Sequence, residues 1–236
     1  MKRSKTLTLG LAAFFALVQA AQAGPPLICH ALDIGDAKSL PWNNSTSLSG
    51  RSDYELSRLV ADTLELLQPN TPVIVRMETI RRATLYAQKD QQIAKELLLK
   101  LRRRAVDAEA KGRPDALAWF DLGYLVECYK QANLAYKKLD SGGWEPVIRP
   151  NPANGLDGYA WVERAISLHG QEPEMEFAAA LISLDGKRPG HQEHVEKAVA
   201  GAPADSLLAK NLATHFKGDP GQTVGAMLGQ VATAKK

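Results

Sequence analysis

The chain has 236 residues, of which 45% are hydrophobic and 23% charged, and its formal net charge is +3. Lys2, Arg3 and Lys5 carry that excess, so the chain beyond residue 23 is balanced in charge. Balance argues against a nucleic-acid partner, whose binding rests on many Lys and Arg contacts to phosphate, and after Ala20 no apolar run approaches the roughly 20 residues that cross a bilayer.

Residues 1–23 combine a positive start, an apolar run from Leu7 to Ala20 and the small-x-small site Ala21-Gln22-Ala23. That is the pattern of a secretory signal peptide, which is set aside in reasoning about the fold. The expectation is an exported protein, periplasmic or secreted, with no membrane span once the signal is cleaved. Cysteines can oxidise in such a compartment, which makes Cys29 and Cys128 a disulfide candidate. The alternative is a small buried Cys128 inside its helix with Cys29 free.

Residues 24–51 lack helical periodicity and carry Pro25, Pro26, Pro41 and the polar run 43–47. They read as an extended arm, docked through Leu27, Ile28, Leu40 and Trp42. From residue 52 to 139 the pattern turns helical. Ser52-Asp53-Tyr54-Glu55 reads as a capping box, followed by Leu56, Leu59, Val60, Thr63, Leu64 and Leu67 at helical spacing. Pro69-Asn70 ends that helix, and Thr71 with Pro72 opens the next, whose stripe is Val73, Met77, Ile80, Thr84 and Ala87. Asp90 caps a third helix running to Lys111, with Gly112 as its left-handed stop. Pro114 and Asp115 open a fourth, apolar nearly all round and therefore buried on several sides, expected to reach Leu139.

Residues 140–158 are rich in Gly and Pro and read as a long loop holding Trp144. In the C-terminal helical part, 159–217, Val162-Glu163-Arg164-Ala165-Ile166 recurs 33 residues later as Val195-Glu196-Lys197-Ala198-Val199. Each copy is followed by a break and a second short helix, over about 174–184 and 204–216. Met175 and Leu208, and Ala179 and Leu212, keep the same offset. Two helices per unit with a period in the low thirties is the signature of a helical solenoid. Residues 218–236 read as a tail.

On these residues, together with Trp119-Phe120-Asp121-Leu122-Gly123 and its W-x-x-L-G spacing, the chain resembles the tetratricopeptide-repeat superfamily, including its Sel1-like branch. Ala135 falls where that pattern has a small residue. Val126 stands where Tyr is usual, and the Gly142–Trp144 stretch interrupts the second helix. The resemblance implies an all-α, short helical-hairpin solenoid preceded by the extended arm. It also implies a non-catalytic role: protein–protein interaction or scaffolding in the cell envelope, with a protein or peptide partner. Aromatic residues and Arg dominate binding hot spots, so Tyr124, Trp144 and Arg104 are the candidate contacts.

No motif for a nucleotide, haem or other cofactor is present, so none is expected. His191 and His194, three apart at a helix start, offer the alternative of a metal-dependent hydrolase with a carboxylate brought in by the fold. A zinc site needs three or four ligands, and no third His or Cys lies nearby in sequence. Arg102, Arg103 and Arg104 fan around the helix surface and make no single patch. A third reading is a structural subunit whose arm, residues 24–50, inserts into a neighbour.

Overall fold

The structure is a computed structural model that describes residues 25–44, 48–132, 135–138, 144–147, 150–184 and 188–216. The signal peptide expected over residues 1–23 and the tail expected over residues 218–236 lie outside the described residues. The fold is all-helical apart from one short ribbon. The elements are α1 (Pro26–Cys29), a single 3-10 turn (Leu56–Arg58) running into α2 (Leu59–Leu66), α3 (Val73–Ala87), α4 (Gln91–Ala110) and α5 (Ala116–Ala132). Strands β1 (Ala135–Lys138) and β2 (Trp144–Val147) follow, then α6 (Gly158–His169), α7 (Pro173–Ser183), α8 (His191–Gly201) and α9 (Leu207–His215). Among the described residues, no helix is long and apolar enough to cross a membrane.

Local sequence signals set several helix ends. Asp90 accepts from the N–H groups of Gln92 and Ile93, Asp115 from Ala118 and Asp157 from Ala160. Each satisfies a backbone donor that has no partner inside its helix. Gly112 takes φ +66° just after α4. Other ends differ from expectation. The capping box at Ser52–Glu55 does not form. Glu55 precedes the 3-10 turn without a side-chain cap, because Tyr54 is drawn onto Tyr86, 4.6 Å between ring centres, and bonds Asp62. Thr71 closes the turn before it, donating to the Leu66 carbonyl and accepting from Gln68. The start of α3 is capped from a distance: Glu174 accepts from the Ile74 N–H at 3.0 Å.

The fourth predicted helix stops at Ala132 rather than Leu139. Asn151 and Gln88 donate to the Tyr129 and Ala132 carbonyls, so the last turn is sealed by side chains. Ala135, matched to a helical position by the repeat resemblance, instead begins β1, which pairs antiparallel with β2 in the register Ala135↔Val147 to Lys138↔Trp144.

Three helices make the interior. Buried residues number 13 of 15 in α3, 11 of 17 in α5 and 9 of 11 in α7, against 5 of 20 in the intervening α4. α6 and α8 likewise bury one stripe each: Val162 and Ala165 in the first, Val195, Ala198 and Val199 in the second. These are the residues of the 33-residue repeat, and their followers Met175, Ala179, Leu208 and Leu212 are buried too.

α5 and α6, successive helices on either side of the β1–β2 ribbon, approach backbone to backbone. A Cβ at Gly123 would lie 2.6 Å from the Gly158 carbonyl oxygen, and one at Gly158 would lie 2.4 Å from that of Gly123. Only two residues without side chains let these backbones meet.

Charges inside this interior are paired. Arg76 donates to Asp121 at 2.6 Å, with both side chains fully buried, and also to the Thr71 and Gln68 carbonyls. The second Asp121 oxygen has no hydrogen-bond partner. Burial pushes the Asp121 carboxyl up to about 6, against the pull of Arg76. The folded protein therefore binds this proton more tightly than the unfolded chain, so protonation favours folding. The stability of the wild type relative to Asp121→Asn should fall as pH rises from about 4 through 6, then level. Urea unfolding of both proteins across that range checks it; a wild type that gains stability relative to Asp121→Asn with rising pH would contradict the assignment.

The arm lies on this interior. Leu27, Ile28, Leu32, Ile34 and Leu40 are buried, and α1 packs against α3, α5 and α7. Helix side chains read its backbone. Gln131 accepts from Leu27 and Glu78 from Leu32, while Arg81, Arg82 and Tyr86 donate to the carbonyls of Ile28, Leu40 and Pro41. Asn211 makes a paired bond, accepting from the Asp33 N–H and donating to its carbonyl, both at 2.8 Å. The arm thus covers the helices of its own chain.

Candidate functional site

The residues singled out from sequence do not converge. Tyr124 is almost fully buried on α5, stacked on Phe120 at 5.7 Å, so it cannot serve as a contact for a partner. Its helix is buried nearly all round, and a residue list cannot show which side faces out. Trp144 lies on β2 opposite Lys138. Arg104 turns inward and donates to the Leu67 carbonyl at 2.7 Å, closing the end of α2, while Arg102 and Arg103 are exposed. The expected disulfide is not formed. Cys29 and Cys128 are both free, one half-buried and one buried, and burial pushes both thiols up while Arg81 pulls the other way.

The two histidines part company. His191 faces the Ala180 carbonyl at 2.9 Å. His194 is buried between Glu176, 2.5 Å from its Nδ1, and the Tyr159 hydroxyl, 2.8 Å from its Nε2. Among the described residues, no three His, Cys, Asp or Glu side chains gather to hold a metal ion. Both His194 nitrogens are engaged. Burial, then Glu163, pushes the Tyr159 phenol up to about 12, which keeps it a hydrogen-bond donor rather than a nucleophile. Glu176, His194 and Tyr159 belong to α7, α8 and α6, so the chain of bonds ties three helices together. The hydrolase constellation is not assembled.

The surface with recognition chemistry lies on α4, α5 and α6. Trp119 and Trp161, both half-buried, stand with ring centres 6.1 Å apart. The Arg164 guanidinium sits 5.2 Å over the Trp119 ring and bonds Glu109 at 2.5 Å; Glu109 also accepts from the Trp119 indole N–H at 3.0 Å. Those bonds, Arg164 first, hold the Glu109 carboxyl below its usual range. On α6, Trp161, Arg164 and the 38%-exposed Leu168 fall on one edge. One turn before Trp119 on α5, Asp115 lines an open cleft of about 440 Å³ with Arg104, Asp107, Ala108, Lys111 and Arg113. The Trp119 indole is fixed from its edge by Glu109 and from its face by Arg164, so little of its side-chain freedom remains to be lost on binding. Trp161 carried no signal in sequence beyond its residue type, and Arg164 lay in the 33-residue repeat, which marked helix packing rather than a surface. Trp119 belonged to a repeat motif that implied packing.

The chain matches no family model, no curated protein and no solved structure.

Proposed function

We propose that the chain is an exported, non-catalytic helical-repeat protein that binds another protein in the cell envelope, its helices stacked as a short solenoid of the tetratricopeptide type. The alternation of buried α3, α5 and α7 with the more exposed α4, α6 and α8 supports the stacking, as does the burial of equivalent residues 33 apart. Stacked repeats commonly bind ligands on a concave face. Here the arm occupies the interior helices, and burying Leu27, Ile28, Leu32 and Leu40 contributes roughly 6–12 kcal/mol at 1.5–3 per side chain. A partner would have to exceed that to displace it, so the binding surface is elsewhere.

The observation that carries the reading is the Trp119–Trp161 pair with Arg164 stacked on it, since Trp and Arg are the residues enriched in hot spots. The test is capture of the partner from native envelope extract by the mature chain, followed by affinity measurement. Trp161→Ala and Arg164→Glu should each weaken binding by about 30-fold or more, the effect of losing a hot spot, with unchanged circular dichroism. Full retention of the partner by both variants would sink this surface as the binding site.

A further inference from the structure

α4 is 20 residues long, a rod of about 30 Å at 1.5 Å per residue. Its inward stripe is Ala94, Leu97, Leu98, Leu101 and Ala105. Its outward side is not simply polar. Leu99 is 50% exposed and Val106 44%, two of the four large hydrophobic side chains exposed to this degree among the described residues. They are seven residues apart and so lie on one line along the helix. Lys95, Arg102 and Arg103, all exposed, flank that line, as does the exposed Glu96, and exposed Lys100 lies beside it, so the flanks are net basic rather than purely basic. Asp107 offsets Arg103 in part, at 3.3 Å. An apolar seam with net basic flanks is a docking face, and charge selects what fits it.

A second copy of the chain fits badly. In a two-fold antiparallel pairing that sets Leu99 against Val106 of the other copy, the axis falls between Arg102 and Arg103. Four guanidinium groups would meet there, and like charges in close apposition disfavour the contact. The chain's own tail is also a poor occupant, because residues 217–236 contain Lys217, Lys235 and Lys236 against a single acidic residue, Asp219. Two aliphatic side chains give too little apolar area for firm insertion into a lipid surface, which relies on a broad apolar face. We propose that the outward face of α4 docks an acidic amphipathic helix of a partner protein, its apolar seam on Leu99 and Val106 and its Asp and Glu side chains facing Lys95, Arg102 and Arg103. The inference rests on the binding role given above and names the partner's chemistry. It extends the surface of Trp119 and Trp161 along the helix that carries Glu109.

The probe is a synthetic helical peptide of three heptads with Leu at the seam and Glu at the flanking positions, measured by fluorescence anisotropy against the full mature chain. A peptide of the same seam with Lys at the flanks and vesicles containing phosphatidylglycerol are the comparisons. The acidic peptide should bind, and raising the salt should weaken it. The double variants Arg102→Glu/Arg103→Glu and Leu99→Ser/Val106→Ser should each raise its Kd at least tenfold. All four residues are exposed, so thermal unfolding should be unchanged. Equal binding of acidic and basic peptides, absence of acidic-peptide binding, binding to the vesicles alone, or self-association abolished by the same variants would each overturn the proposal. If Trp161→Ala and Arg164→Glu lose the native partner while the acidic peptide fails to bind, the binding role stands and this inference falls.

Discussion

Arg81→Met should destabilise the protein by about 3–5 kcal/mol, the cost of breaking a buried ion pair from one side. At 2–4 °C per kcal/mol for a chain of this size, the melting temperature should drop by about 6–20 °C. The Arg81 side chain is fully buried and spans two parts of the molecule. Its Nε and Nη2 donate to Glu78 at 2.8 and 3.1 Å, and its Nη1 donates to the Ile28 carbonyl at 2.9 Å. Methionine keeps the apolar stem and removes the charge and donors. Glu78 then retains only Arg82 as cationic partner, and the Ile28 carbonyl loses its donor in the interior. Because Glu78 also accepts from Leu32 and Arg82 donates to Leu40, the loss should spread along the arm. Limited proteolysis should nick the variant between residues 25 and 44 before the helices. A shift in melting temperature below 2 °C, with the arm still resistant, would show that this cluster does not hold the arm.

Gly123→Ala should cost about 3 kcal/mol, at the upper end of overpacking penalties. Two terms oppose each other. Alanine improves helix propensity by about 1 kcal/mol over glycine. Against that, the new methyl would lie 2.6 Å from the Gly158 carbonyl oxygen, 2.9 Å from the Val162 nitrogen and 3.0 Å from a Val162 methyl. Two of these three are backbone atoms and cannot rotate away, so α5 and α6 must separate. The same change at an exposed glycine meets nothing and tests strain alone: Gly112 has open space around it but φ +66°. Chemical denaturation of both variants distinguishes the cases, since Gly123→Ala should fall in midpoint well beyond Gly112→Ala. Equal or greater stability of Gly123→Ala would mean that the two helices do not meet as closely as described.

These expectations bear on function through geometry. The arm, held by Arg81, closes the interior helices to other chains, and the α5–α6 contact places Trp119 beside Trp161. The arm therefore removes the face that stacked repeats would otherwise offer. The surface proposed for a partner is therefore the one on α4, α5 and α6 that carries Trp119, Trp161, Arg164 and Glu109.

What the sequence determined by itself is local. Helical periodicity, the Asp90 cap and the Gly112 stop each depend on neighbours within a few turns, and the helices follow them, while the 33-residue offset marks matching buried stripes in α6 and α8. What only the tertiary structure decided depends on residues far apart in the chain. Glu174 caps α3 across 100 residues, Asn211 reads the backbone of Asp33 across 178, and Asn151 with Gln88 ends α5 seven residues before its pattern runs out. The candidate contacts divide the same way. Tyr124 has the residue type of a contact, yet its helix is enclosed on nearly every side and the ring is buried. Trp161 and Arg164 became a surface with Trp119 only because Gly123 and Gly158 bring two backbones into contact. Secondary structure is set by short-range periodicity and capping, whereas exposure and juxtaposition are set by which helices pack together, and no local pattern encodes that.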